Sequence, residues 1–313
     1  VKRATALAGL VASAASAYGS AAFAQSDLPL RVGTSPSDSF AEGIYAQGGG
    51  FFKDAGLNVE LVSLANSGAL GAALAGGTID IAVGNVIAAA NARAQGLPFA
   101  IIAPSAIYTA KEPATVLIAG KTSAVNTAKD LEGKTIATIE LRGTMQSSIR
   151  EWMTKSGADP SGVKFIEAPF TTMAGLVNAG RVDAAMIGEP ALTNARPLVR
   201  VIANPYEAIA PEWYLNVWFA NSDWLAKNRA TARKFTAAIA KTAAWANGHR
   251  AETGALLQKF LPLTDDVLAK MTRTRFGTAK LNVAEIQPVL DTAAKYGVLK
   301  APVDASTLIF SDL

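Results

Sequence analysis

Two similar α/β lobes joined by two crossings are what this sequence predicts, and three observations predict them. A segment occurs twice, as Gly77-Thr-Ile-Asp-Ile-Ala-Val-Gly84 and Gly180-Arg-Val-Asp-Ala-Ala-Met-Ile187, each behind an apolar helical pattern (Ala69–Ala75, Met173–Ala179). From Gly77 to Gly180 is 103 residues, too long for a solenoid repeat and about the size of one small domain. Short apolar runs alternate with helical stretches, the mark of parallel-sheet lobes, and this order restarts after Gly120-Lys121. From Leu225 onward the spacing is helical and no further series of strands follows. Two lobes imply a cleft, and a domain boundary is where small ligands preferentially bind.

In the first lobe, strands are expected at Leu30–Thr34, Asn58–Leu64, Asp80–Gly84 and Phe99–Ala103, with helices at Phe40–Ala55, Ser67–Ala75 and Ile87–Gln95. Gly56 supplies a helix stop and Ser67-Gly68 a helix start. The β-rich run Ala114–Ala119 reads as the outgoing crossing. The second lobe takes strands at Lys134–Ile139, Val163–Glu167, Asp183–Ile187 and Val199–Ile202, with helices at Met145–Ser156 and Thr171–Ala179. Tyr214–Ala220 carries the chain back, and helices follow at Leu225–Asn247 (broken near Arg229-Ala230), Ala251–Phe260, Asp265–Met271 and Val283–Tyr296. A tail without its own sheet is expected to dock on the first lobe. The expected division is residues 28–116 with 217–313 as one lobe and 117–216 as the other.

Lys2-Arg3, an Ala-rich apolar stretch and Ala22-Phe23-Ala24 read as a cleaved signal peptide over residues 1–24, which places the mature chain in the periplasm. The absence of cysteine excludes disulfides, thiol nucleophiles and Cys-ligated metals, and export without disulfides fits a bacterial periplasm. Without Lys2 and Arg3, 27 basic residues face 25 acidic ones, scattered rather than bunched with aromatics. Nucleic-acid binding therefore has little support. Half of the residues are hydrophobic, enough for substantial cores in two domains.

Ligands of parallel α/β sheets sit beyond the carboxyl ends of strands, so strand-end loops carry the candidates. Ser35 and Ser37 follow the first strand, where hydroxyls and backbone N–H groups either hold a solute or cap a helix. Ser67, Gly68 and Asn85 close the same side, with a glycine that lets a ligand oxygen approach backbone N–H groups; Asn85 is either a ligand contact or a turn residue. Arg142 and Thr144 open a helix after the first strand of the second lobe and form an anion cradle, the guanidinium supplying forked donors. Phe40 and Met145, at the starts of the neighbouring helices, complete the set. Glu189 follows the repeated strand and either meets a ligand N–H or pairs with an arginine; Trp213 either covers a planar ligand face or belongs to a hinge core. Catalysis fares poorly: His249 is the single histidine, and no Gly-x-Ser-x-Gly elbow or Walker loop is present.

Gly50-Phe-Phe-Lys-Asp-Ala-Gly-Leu-Asn-Val-Glu60, Gly76-Gly-Thr-Ile-Asp-Ile-Ala-Val-Gly84, Ala128-Lys-Asp-Leu-Glu-Gly-Lys-Thr-Ile-Ala137 and Ala179-Gly-Arg-Val-Asp-Ala-Ala-Met-Ile-Gly-Glu-Pro190 stand in family-like order and spacing. The chain resembles the periplasmic solute-binding proteins of the nitrate/sulfonate/taurine ABC-importer class, related to thiamine-precursor-binding proteins, from about Leu30 to about Tyr296. The resemblance implies a type II periplasmic-binding-protein fold with two hinge crossings, capture of a small-molecule solute by hinge closure, and delivery to a membrane permease. It also implies solute contact at the Ser35–Ser39 loop and a Glu-Pro pair at Glu189-Pro190. The expectation is a monomer with no cofactor and no turnover. Arg142 and the helix ends favour an anionic solute, a sulfonate or carboxylate; Glu189 allows a zwitterion. The rivals are a pyrimidine-precursor enzyme of the same fold and a solute sensor.

Overall fold

The computed structural model describes residues 28–311 and 313. The signal peptide expected over residues 1–24 lies outside them. The chain begins β1 (Leu30–Thr34), α1 (Glu42–Gly48), α2 (Phe51–Asp54), β2 (Val59–Ser63), α3 (Ser67–Ala75), β3 (Ile81–Gly84), α4 (Val86–Ala94) and β4 (Phe99–Pro104). The helix expected over Phe40–Ala55 is therefore broken, because Gly48-Gly49-Gly50 ends one helix and Gly50, at φ 82°, starts the next in a left-handed conformation.

After β4 come β5 (Ala106–Thr109), β6 (Thr115–Gly120), β7 (Thr135–Thr138), α5 (Thr144–Lys155), β8 (Lys164–Glu167), α6 (Phe170–Asn178), β9 (Ala184–Gly188), α7 (Ala191–Ala195) and β10 (Val199–Ala203). The chain returns through β11 (Glu212–Tyr214) and β12 (Val217–Asn221). It ends in α8 (Ser222–Lys227), α9 (Arg229–Gly248), α10 (Arg250–Phe260), α11 (Asp265–Lys270), β13 (Arg275–Phe276) and α12 (Gln287–Lys295).

Among the described residues two five-stranded sheets form, in the orders β2-β1-β3-β12-β4 and β10-β6-β9-β7-β8. Each contains one strand antiparallel to its neighbours, and in each case that strand has just arrived from the other lobe: β12 in the first sheet, β6 in the second. Ala114–Ala119, expected as a crossing, is thus mostly a member of the second sheet. An edge at 116/117 would cut β6, which pairs with β9 from Thr115 onward. The connection between lobes is a third small sheet, β11-β5-β13, in which Trp213 pairs with Tyr108. Sequence reading missed β5 because Ala106-Ile-Tyr-Thr109 is too short to show a period.

The first sheet buries one face against α9, where Trp218 meets Phe235 edge-on at 5.1 Å and Phe52 stacks on Phe235 at 5.6 Å. Those contacts dock the helical tail on the first lobe, as expected. The last helix departs from that expectation, because α12 packs against both α4 of the first lobe and α5 of the second. Its end is tied to α5 by polar contacts: Lys295 and the Tyr296 hydroxyl reach Glu151 at 2.6 and 2.7 Å, and Arg150 donates to the Tyr296 carbonyl at 3.2 Å. Burial alone would raise the Glu151 carboxyl; its partners Lys295 and Tyr296 instead hold it below the usual carboxylate range. Glu151→Ala is expected to cost about 1–2 kcal/mol of stability, less in high salt because Lys295 is half exposed. Urea unfolding at two ionic strengths checks this, and a loss inside the ordinary surface range of about 0.5 kcal/mol would rule out a structural clasp.

Candidate functional site: the interlobe cleft

The two large sheets turn the ends of β1, β3, β7, β8 and β9 toward one cavity of about 490 Å³. The first lobe contributes Ser35–Phe40, Ala65–Ser67 and Asn85; the second contributes Glu140, Thr144, Met145, Glu167, Phe170 and Glu189. The hinge adds Tyr206 and Leu215, and the tail reaches in with Leu261–Leu263 and Thr274.

Each side wall is built by helix starts. Asn66 caps α3 by accepting from Ala69 N–H at 3.0 Å, and the neighbouring Ser67 hydroxyl accepts from Asn85 N–H at 3.1 Å. Asn85 caps α4 through its Oδ1, which accepts from Ala88 N–H at 2.9 Å, leaving its amide N–H₂ to reach across to Glu140 of the second lobe. Asn85 is thus a helix cap that also contacts the second lobe. Asp38 is tied deeper: its carboxylate accepts from Arg273 Nε at 3.1 Å, the Tyr45 hydroxyl at 3.0 Å and Thr274 N–H at 2.5 Å. Ser35 donates to the Ala65 carbonyl at 3.0 Å, and Ser37 contacts Ser39 at 3.2 Å.

Of the expected residues, Ser35, Ser37, Phe40, Ser67, Asn85, Thr144, Met145 and Glu189 line the cavity. Gly68, Arg142 and Trp213 do not. Gly68 sits at the rim, where its N–H donates to Glu140 Oε2 at 3.3 Å. Arg142 takes a left-handed φ of 57°, which turns its guanidinium away from the cleft onto the Val298 carbonyl at 3.2 Å. The anion cradle expected there loses its cation. Trp213 is fully buried in the hinge, with ring centres 5.3 Å from Tyr108 and 5.0 Å from Tyr206, so Tyr206 is the hinge aromatic that reaches the cleft.

Sequence reading missed Glu140, Glu167, Phe170 and Tyr206. Glu140 lies in the loop that supplied Arg142 and Thr144 as candidates, whereas the loop after Val163–Glu167, which holds Phe170, supplied none, and nothing local says which side chain in a loop faces inward. Glu140 is half-buried between the lobes, and the desolvation there, reinforced by the nearby Glu167, pushes its carboxyl up to about 7 against the pull of Gly68 and Asn85. Glu189 is raised too, again chiefly by burial, while Thr193 supplies two hydrogen bonds at 2.9 Å and Thr272 N–H one at 3.3 Å. Thr144 lines the cavity, is 2% exposed, and its hydroxyl has no partner. No Lys, Arg or His lines the cavity among the described residues, whereas four carboxylates do. His249 stands elsewhere, stacked on Trp245 and bonded to its carbonyl at 2.8 Å.

Two α/β lobes that exchange one strand each, hinged by two crossings over a ligand-sized cleft, define the periplasmic-binding-protein fold. The chain belongs to the NMT1/THI5-like family, whose model matches residues 38–253. Solved structures similar to it include the periplasmic aliphatic sulphonate binding protein SsuA of Escherichia coli, at 19% identity and TM-score 0.73, covering 90% of this chain and 92% of that one. The alkanesulfonate-binding protein SsuA of Xanthomonas axonopodis pv. citri, bound to MOPS, shows 17% identity and TM-score 0.76 over 90% and 98% of the two chains. The periplasmic nitrate-binding protein NrtA of Synechocystis PCC 6803 shows 16% identity and TM-score 0.73 over 88% and 83%. No curated protein sequence matches the chain. These likenesses show the fold, and no helix among the described residues is long and apolar enough to cross a membrane.

Proposed function

We propose that the chain is the periplasmic solute-binding component of an ABC importer, and that its solute is a small organic molecule with an apolar body and a neutral or cationic nitrogen. The observation that carries the second half is the charge of the cleft. Asp38 is neutralised by Arg273, but Glu140, Glu167 and Glu189 face the cavity without a basic side chain on its wall among the described residues. An anion desolvated in that space meets charge of its own sign, whereas an N–H donor meets acceptors. Phe40, Met145, Phe170 and Leu215 supply the apolar contacts. This moves the reading away from the sulfonate or carboxylate expected from Arg142, because that residue points elsewhere.

Capture proceeds by a population shift: solute on one lobe gains contacts from the other only when the cleft closes, and the closed form is the one delivered to the permease. The moving bodies are residues 28–116 with 217–313 against 117–216, adjusted to keep β6 whole, and the β5–β11 pair is the hinge. Each protein molecule carries one such cleft and acts as a monomer without cofactor or turnover. A thermal-shift screen tests the solute class. An amine or aminopyrimidine at a hundred times its dissociation constant is expected to stabilise by about 2.7 kcal/mol, whereas ethanesulfonate, nitrate and carboxylates leave the transition unmoved. Stabilisation by the anions alone would overturn the class.

A further inference from the structure

The cleft contains a well-formed anion-accepting corner, and the protein fills it itself. Glu140 extends from the second lobe to the start of α3, where Gly68 N–H donates to its Oε2 at 3.3 Å. Its Oε1 takes the side-chain amide of Asn85, the cap of α4. On its own side, the carboxylate lies so close to Gly143, the N-cap of α5, that a Cβ at that position would collide with it. Three helix starts, on helices of 9, 9 and 12 residues, therefore converge on one carboxylate. Helix starts attract negative charge through unpaired N–H groups and the positive end of the dipole. A second observation marks the corner as a binding position: Thr144, the first residue of α5, is buried on the wall of the same cavity, and its hydroxyl has no partner.

We propose that Glu140 is a specificity-determining residue, a built-in occupant of the anion corner that excludes anionic solutes and leaves the Thr144 hydroxyl for an uncharged or cationic polar group. An anion entering the corner has to displace this carboxylate from Gly68 and Asn85 or sit beside it, with Glu167 adding negative charge from the adjacent wall. A donor group instead meets a carboxylate already held in place. The inference rests on the cleft being the solute site.

Calorimetry with ethanesulfonate as the probe tests it on the native protein, Glu140→Ala and Glu140→Gln. The alanine variant frees Gly68 N–H and the Asn85 amide and is expected to bind ethanesulfonate at least tenfold more tightly than native protein. The glutamine variant keeps the volume, removes the charge and is expected to gain about threefold, which also carries the test should the alanine variant fail to fold. Thr144→Val placed in either variant is expected to cancel most of the gain. Equal affinity of native protein and the variants for ethanesulfonate, or a gain indifferent to Thr144→Val, overturns the proposal. Failure of every amine in the thermal-shift screen, with the ethanesulfonate gain still present, would instead remove the nitrogenous solute and leave the role of Glu140 standing.

Discussion

Arg273→Met is expected to destabilise the protein by about 3–5 kcal/mol, because it strands a buried carboxylate. Asp38 is 1% exposed and Arg273 9% exposed, and their 3.1 Å pair joins the first strand-end loop to the C-terminal segment 235 residues later. Removing the cation leaves Asp38 with the Tyr45 hydroxyl and Thr274 N–H, which supply hydrogen bonds but no compensating charge. Arg273 also bonds Tyr45 at 2.7 Å, so the same change loosens α1. The double change Asp38→Asn with Arg273→Met is expected to recover much of the loss, since no buried charge then remains. Urea unfolding of the three proteins decides it, and a loss below about 1 kcal/mol in Arg273→Met would mean that solvent reaches the pair.

The second large effect is a pH dependence of stability that runs through Glu42. This residue is wholly buried in the first lobe, where its Oε2 accepts from Trp218 Nε1 at 2.6 Å. Burial pushes its carboxyl up to about 8, against the smaller downward pulls of Ser105 and Trp218. Glu42 Oε1 and the Ser105 hydroxyl have no hydrogen-bond partner, so a proton on the carboxyl gives it a donor to turn toward Ser105. The folded state thus keeps a proton that the unfolded chain releases near 4.5. Stability is therefore full below that point and falls as pH rises toward 8, at up to about 1.4 kcal/mol per pH unit from this group. Glu42→Gln keeps an acceptor for Trp218 and a donor for Ser105 without a charge. It should match the native protein near pH 5 and exceed it by a few kcal/mol above pH 8. Parallel stability–pH curves for the two proteins would show that Glu42 does not carry the slope.

Much of the scaffold was legible because the signals that specify it are local. Leu30–Thr34 and Ser67–Ala75 match β1 and α3 to the residue, since an apolar run bounded by polar residues and a helix start at Asn66-Ser67-Gly68 act within a few positions. The strand-end rule likewise led to eight residues that line the cavity. Arg142 shows where such reasoning stops. Its residue type and place in a glycine turn are those of an anion ligand, but one left-handed φ sends the guanidinium to Val298, 156 residues on. Glu140, two positions earlier, takes the inward direction instead.

Local pattern was enough to give the α/β repeat, its restart after Gly120-Lys121, the docking of the helical tail on the first lobe, and the strand-end loops in which a ligand site has to lie. The tertiary structure alone decided the third sheet at the hinge, the placing of α12 against both lobes, and the pairing of Asp38 with Arg273. It also decided the sign of charge in the cleft. The physical reason is range: helix and strand preferences are set by neighbours a few residues away, whereas the cleft is made by groups 55 to 235 residues apart whose meeting leaves no mark in local pattern.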